Sequence, residues 1–341
     1  MRLATYNVEW FDHLFDESGR LLADGGRSGR EGVTRAEQAE GLAAVFGALD
    51  ADAILVVEAP DIGRRRDGRA ALEGFAAHAG LRARRVLAGF ANDTQQELML
   101  LYDPDVLSAR HDPRGWPPGR PGAGSPRFDG TLDVDLDIDG RPDAVRWSKP
   151  PLEAELTVRA SGRVVRLIGV HAKSKAPTGA RGRDTVMRLA IENRRKQMAQ
   201  AVWLRARVEE HLSAGDSLIV AGDFNDGPGL DAYERLFGRS SLEIVAGEGD
   251  ALRLFDPHAR EVRGNPTTAQ PASARFALPG GARWLSAMLD YLMVSEDLAA
   301  LAPVWTIWHP FDHRPCYEDA ALRQALLHAS DHFPVTLDIA L

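Results

Sequence analysis

The sequence predicts an α/β fold in which β-sheets pack against each other beneath a cover of helices. Three observations lead there: apolar runs of strand length recur along the chain, several are joined by hairpin turn signals, and three or four stretches of helical periodicity interrupt them. Leu3–Val8 opens the series as a strand. Thr34 then starts a helix that runs to about Leu49, with Glu37 in capping-box spacing. Ala53–Val57 is a continuous apolar run that ends at Glu58; Arg69–Gly80 reads as helical, and Arg82–Ala88 and Glu97–Tyr102 as extended. Residues 112–128 hold five prolines and four glycines, the composition of a linker. Strands resume directly afterwards, so this segment reads as a long surface loop within a single domain spanning 1–341. Thr131–Ile138 alternates like a half-buried strand and Asp139-Gly140 marks a hairpin turn. Leu152–Val158 and Val164–Val170 follow as strands around Ser161-Gly162. Asp184–Leu212 is the longest helical stretch, with Met187, Ile191, Met198, Val202 and Leu212 near one face. Ser217–Ala221, Met288–Val294 and Val335–Ile339 complete the strands.

Bulk properties narrow the function. With 341 residues, 44% hydrophobic and 26% charged, the chain has an ordinary globular composition. No segment approaches the roughly 20 apolar residues of a membrane helix, and the N-terminus reads as a strand rather than a secretory signal. Cys316 is the single cysteine, which excludes a disulfide framework and Cys-rich zinc sites; a reducing cytoplasm is the expectation. A net charge of −8 is the wrong sign for a protein that grips nucleic acid with its whole surface. Yet from Val158 to Lys196 eleven Lys and Arg meet only Asp184 and Glu192, a local basic excess that suits an anion site.

Polar residues then recur at strand ends. Asn7 lies in ATYNVEWF, Glu58 ends AILVVE, His171 follows RLIGV, and Asp223 and Asn225 follow LIVAG. Asp290 interrupts AMLDYLMV, and Asp331 and His332 precede FPVTLDI. Side chains at strand ends converge on a crevice without disturbing a core. Their chemistry is coherent too: phosphoester hydrolysis needs an oxygen-ligated hard cation, a base for water and donors to the phosphoryl oxygens. Asp223 and Asn225, two apart, point the same way along an extended chain. His332 with Asp331 and Asp290 has the form of a base with an orienting carboxylate. Singly, each has a bland reading as turn former, surface charge or core histidine; together they describe a site.

The segments YNVEWF, VVEAP, VHAKSK, AGDFND, LDYLMVS and SDHFPV, in this order, resemble the endonuclease/exonuclease/phosphatase superfamily, with a bacterial nuclease-like VHAKSK element. The resemblance covers nearly the whole chain. It implies a four-layer α/β sandwich, two mixed β-sheets face to face with helices outside. It also implies a Mg²⁺-dependent phosphoester hydrolase, with Mn²⁺ able to substitute. Glu58 would be the principal metal ligand, helped by Asn7 and Asp331. Asp223 would position the nucleophile, Asn225 bind phosphoryl oxygens, His171 contact the scissile phosphate, and His332 activate water, oriented by Asp290.

The expected reaction is phosphodiester hydrolysis, of a nucleotide derivative or nucleic acid, with no membrane and no obligate protein partner implied. A phosphomonoesterase for sugar or inositol phosphates is the alternative, and a non-catalytic phosphoester-binding module a third reading. Lys173, Lys175 and Arg194 are candidate substrate contacts, although Arg194, on the apolar helix face, also suits a buried carboxylate. Asp12, His13 and Asp16 offer a second metal set in the first loop, where a solvated acidic loop is the preferred reading, and His309, Asp312 and His313 have ligand-like types that proline-rich loop chemistry explains. The variable loops that would set specificity are 9–33, 112–128 and 256–283.

Overall fold

The computed structural model describes all residues except 64, 65, 137, 138, 178, 231, 232, 250, 251, 265–269 and 278–282. Its first half contributes strands β1 (Arg2–Asn7), β2 (Ala53–Ala59), β3 (Arg85–Ala88), β4 (Glu97–Tyr102), β5 (Leu107–His111) and β6 (Leu152–Val158). Strands β7 (Val164–His171), β8 (Leu218–Asp223), β9 (Leu254–Phe255), β10 (Asp290–Ser295), β11 (Val304–Ile307) and β12 (Val335–Asp338) follow. They build two six-stranded sheets, ordered β11-β12-β1-β2-β4-β3 and β9-β10-β8-β7-β6-β5. Each sheet is mixed: a central parallel pair, β1 with β2 and β7 with β8, is flanked by antiparallel neighbours.

Alternation of side chains sorts the first sheet into two faces. Leu3, Leu55, Val57, Leu98 and Leu100 join Leu152, Leu167, Ile219 and Leu292 of the second sheet in one buried cluster. Ala4, Tyr6, Val8, Ile54 and Val56 face outward and pack under helices α1 (Arg35–Leu49) and α2 (Gly68–His78) through Leu42, Val45, Phe46, Leu72 and Phe75. Both faces of β2 are therefore covered, which is why its sequence is a continuous apolar run. Helix α3 (Arg183–Ser213) packs Trp203, Leu204 and Val208 onto the second sheet. The expected four layers are present: helices, sheet, sheet, helix. The capping box also forms, with Thr34 accepting from the Glu37 amide and Glu37 from the Thr34 amide. Among the described residues no helix is long and apolar enough to cross a membrane.

Two local expectations fail. The hairpin around Gly140 pairs only Leu132–Val134 with Asp143–Val145 and lies outside both sheets; residues 137 and 138 fall outside the described set. The apolar face assigned to the long helix is not the buried one: Met187 and Val202 are 42% and 48% exposed. The inward face carries Asn193, Arg194, Gln197, Gln200 and Arg207 instead. These side chains are buried because they satisfy polar backbone that would otherwise be stranded. Arg207 pairs with Glu153 at 2.6 Å and, with Trp203 Nε1, donates to the Pro126 carbonyl, fastening the proline-rich 112–128 loop to the sheet.

Gly222 sits opposite Val170 in the parallel pair with φ +135°, and a Cβ there would collide with the Val170 carbonyl. Gly222→Ala is expected to destabilise the fold by about 2–5 kcal/mol, combining backbone strain and overpacking, as read by urea unfolding. An unchanged midpoint would show that the close approach is not required.

Candidate active site

The carboxyl ends of both parallel pairs open on the same rim. Asn7 closes β1, pointing inward with Leu3 and Thr5. Asp223 closes β8, where the sheet register sets it between His171 on one neighbour and Asp290 on the other. Antiparallel pairing of β12 with β1 carries the preceding loop alongside Asn7, whose carbonyl accepts from Ser330 Oγ at 2.8 Å. That brings Asp331 and His332 to the rim. Glu58 needs a special device, because simple alternation would send it outward with Ile54 and Val56. A register shift between Val57 and Ala59 and a left-handed φ of 63° turn it back. Its Oε2 then accepts from the Trp10 amide at 2.8 Å.

The groups touch one another. Asn7 Nδ2 donates to Asp223 Oδ2 at 3.1 Å and to Glu58 Oε1 at 3.4 Å, while Asn7 Oδ1 accepts from the Glu9 amide. His171 Nε2 lies 3.7 Å from Asp223 Oδ2 and 3.9 Å from Glu58 Oε1. Asn225 donates its side-chain amide to Asp223 at 3.1 Å and its backbone amide at 2.7 Å. His332 Nδ1 is 2.7 Å from Asp290 Oδ2, which also accepts from Ser273 Oγ at 2.8 Å.

Burial and mutual charge govern protonation. Burial pushes the Asp223 carboxyl up to about 7, against the opposing pull of His332. Burial also raises Asp331. His332 would be lowered by burial, but the carboxylates of Asp290, Asp223 and Asp331 outweigh it and hold the imidazole well above its ordinary value. His171 goes the other way, driven well down by burial and by the neighbouring Lys149 ammonium.

Lys149 was not anticipated from the sequence. It precedes a double proline at the entry to β6, where no periodic pattern points at it. Its ammonium lies 2.9 Å from His171 Nε2 and 3.3 Å from Gln96 Oε1, and burial lowers it to about 8. Glu9 was missed as well: it ion-pairs with Arg30 and accepts from the Asp331 amide at 2.9 Å.

The sequence profile of the Endonuclease/Exonuclease/phosphatase family matches residues 4–332. The chain belongs to this family. Solved structures agree at the level of fold. A truncated Caenorhabditis elegans TDP2 is 14% identical, with TM-score 0.50 over 99% of this chain and 97% of that one. An endonuclease/exonuclease/phosphatase protein from Bacteroides vulgatus is 13% identical, with TM-score 0.50 over 100% and 98%. D. rerio TDP2 complexed with single strand DNA product is 12% identical, with TM-score 0.50 over 100% and 99%. No curated protein matches.

Within this family member the remaining candidates separate. Lys173 stays near the rim, close enough for its charge to act on Lys149. Lys175 and Arg194 do not meet the expectation of substrate contacts: both turn to the buried Asp226, Arg194 at 3.3 Å and only 1% exposed. The anion they serve belongs to the protein. Asp12 pairs with Arg66, Asp16 with Arg20, His309 with Asp312, and His313 lies against Cys316, so these loops have structural partners.

The donor set suits a hard divalent cation. Among the described residues, Asp223, Asp290 and His332 present ligand atoms within 4.8 Å of one another. Asp290 Oδ1 is buried without a hydrogen-bond partner. Glu58 joins the group through Asn7, and apart from the histidines the available donors are oxygens, the preference of Mg²⁺. The converging trio is not the Asn7, Glu58 and Asp331 set expected to hold metal, although all six stand on one rim.

Proposed function

We propose that the chain is a divalent-metal-dependent phosphodiesterase using Mg²⁺, with residues 1–341 acting as one domain. The observation that carries this reading is Asp223 set between His171 and Asp290 within reach of Asn7 and Asn225, beside the oriented His332–Asp290 pair. Glu58, with Asn7 and Asp331, would hold the cation, which when bound neutralises charge on the phosphoryl oxygens.

The protein's own groups account for the proton and the substrate. Asp290 fixes the His332 ring through Nδ1, and Ser273 fixes Asp290, so in the neutral ring Nε2 is the position that takes a proton from water. The water oxygen bonds to phosphorus as the ester oxygen opposite leaves with the bonding pair. Asp223 orients the water, and Asn225 supplies a neutral donor to a phosphoryl oxygen. Lys149 brings a positioned positive charge to the phosphate, and burial together with Lys149 lowers the His171 imidazole, which leaves that ring as a hydrogen-bonding partner rather than a second cation.

Chelator should abolish hydrolysis of a simple diester, and Glu58→Gln should weaken metal binding by calorimetry together with turnover. Full activity in metal-stripped protein would refute the metal requirement. His332→Ala should lower turnover by about two to four orders of magnitude, the range for a lost positioned base; Asp290→Asn should also lower it, with metal still bound in each case. Near-normal turnover of a folded His332→Ala protein would remove the base assignment. Because Lys149 is charged only below about pH 8, the rate should fall as pH rises through that value, and Lys149→Arg, charged throughout, should extend activity upward. A wild-type alkaline limb that persists unchanged in Lys149→Arg would exclude Lys149 as its source.

A further inference from the structure

The two sheets end in four edge strands, and three of these are protected against further pairing. β3 and β5 carry the exposed Arg85 and Arg110, and β9 is two residues long. Charge and shortness are common protections of a sheet edge. β11 has neither. Val304–Ile307 reads VWTI, without a charge, a proline or a register shift against β12.

The phase of the hydrogen bonds decides what this edge offers. In an antiparallel ladder a residue turns its N–H and C=O to the same side, and successive residues alternate. The Ile339 amide donates to the Met1 carbonyl at 2.9 Å, so β12 gives the groups of Leu337 and Val335 to β1. On its other side the Trp308 amide donates to the Pro334 carbonyl at 2.8 Å, in the register that sets Thr306 opposite Thr336 and Val304 opposite Asp338. Val304 and Thr306 therefore pair with β12, and the N–H and C=O of Trp305 and Ile307 point away from the sheet. Among the described residues no backbone group takes them up. A groove of about 710 Å³ is lined by Trp305, Thr306 and Ile307 and by no residue of β12. Three consecutive strand residues with alternating side chains have only their edge in common, so the groove follows the open edge.

The walls of the groove have a sign. Glu261, on the helix Pro257–Gly264, is exposed, and Asp312 keeps 73% of its side-chain surface. The other titratable groups on the walls are His258, His309 and His313; burial lowers all three, His258 to about 4, so at neutral pH they add no positive charge. Arg275 is engaged elsewhere, its guanidinium 4.1 Å from the Trp284 ring centre and 4.9 Å from that of Phe311. We propose that the open edge of β11 binds an extended basic peptide segment of a partner protein by strand addition, its backbone pairing with Trp305 and Ile307 and a Lys or Arg side chain reaching Glu261 or Asp312. Main-chain pairing supplies affinity for any extended segment, and the carboxylates supply the preference for a basic one. A second copy fits this edge less well, because pairing two β11 strands would bring Glu261 and Asp312 of both copies together between chains of net charge −8. No residue of the catalytic rim lines the groove, so the proposal stands apart from the phosphodiesterase reading.

The probe is a short capped peptide of alternating valine and lysine, compared with the same peptide carrying glutamate for lysine and with a version N-methylated at its interior amides. Binding to the full chain is measured by calorimetry, and amide hydrogen exchange by NMR. In the free protein the Trp305 and Ile307 amides should exchange at least about tenfold faster than that of Thr306, and excess lysine peptide should slow both by about tenfold or more. The glutamate and N-methylated peptides should each bind at least about tenfold more weakly than the lysine peptide. Ile307→Pro removes one outward N–H without touching a bond to β12, and it should weaken binding of the lysine peptide to a similar degree. Because Ile307 also packs on the core, the surface pair Glu261→Lys with Asp312→Lys is the second variant, and it should favour the glutamate peptide instead. No protection of Trp305 and Ile307 under excess lysine peptide, undiminished binding of the N-methylated peptide, or a charge preference unaltered in the double variant would overturn the proposal. Protection of the same two amides that grows with protein concentration alone would assign the edge to a second copy and overturn it as well.

Discussion

Concentrated negative charge in a place short of water is the constraint that organises this protein. Glu58, Asp223, Asp290 and Asp331 crowd one rim, and burial, helped by Asp290 and Glu58, drives Asp223 and Asp331 toward their neutral forms. Much of the surrounding structure answers that charge. The carboxylates of Asp290, Asp223 and Asp331 draw the His332 imidazole above its ordinary value against burial, and Lys149 is held in the interior despite its own desolvation. The unusual backbone serves the same end. Glu9, Trp10 and Asn225 all have left-handed φ, and their amides donate to Asn7 Oδ1, Glu58 and Asp223 respectively. Strain in these turns is a way of aiming N–H groups where no helix or sheet would put them.

The same logic reaches the second layer through α3. Gln197 donates to the carbonyls of Lys173, Phe224 and Asn225; Gln200 accepts from the Lys173 amide, and Asn193 donates to the Ala176 carbonyl. Arg194 and Lys175 converge on Asp226, which is also bound by the Ser241 amide and hydroxyl. One helix face thus grips both the loop after His171 and the loop after Asp223. Loops that would otherwise be free to move become parts of the scaffold.

This explains what could and could not be read from the residues. Strands were legible because both sheets are covered, so apolar runs and their polar terminations were undiluted; Ala53–Glu58 is the clearest case. The start of α1 followed from Thr34 and Glu37, and its end near Leu49 from apolar spacing. The inward face in the first half of α3 was not legible, since hydrophobic periodicity marks a face that packs on apolar side chains, as Trp203, Leu204 and Val208 do, whereas Asn193, Gln197 and Gln200 pack on backbone groups. Asn7, Glu58, His171, Asp223, Asn225, Asp290, Asp331 and His332 do share one rim, because a polar residue ending a buried strand has few other places to go. Lys149 and Glu9 lie in irregular segments, where position is set by turns and not by period. Arg194 and Lys175 were recognisable as anion partners, but no local pattern distinguishes a substrate phosphate from Asp226.

The bond between Ser330 and Asn7 joins positions 323 residues apart. On a ribosome, which releases the chain in order, Asn7, Glu58, His171 and Asp223 all emerge long before His332. During that interval β1 lacks the strand that pairs with its outer side, an open sheet edge that invites other chains. Arrival of Val335–Asp338 closes the edge, and the loop just ahead of it delivers Asp331 and His332 in the same event. Completion of the rim and protection from misassembly are therefore a single late step, and a nascent or shortened chain without it would both lack Asp331 and His332 and be prone to aggregate.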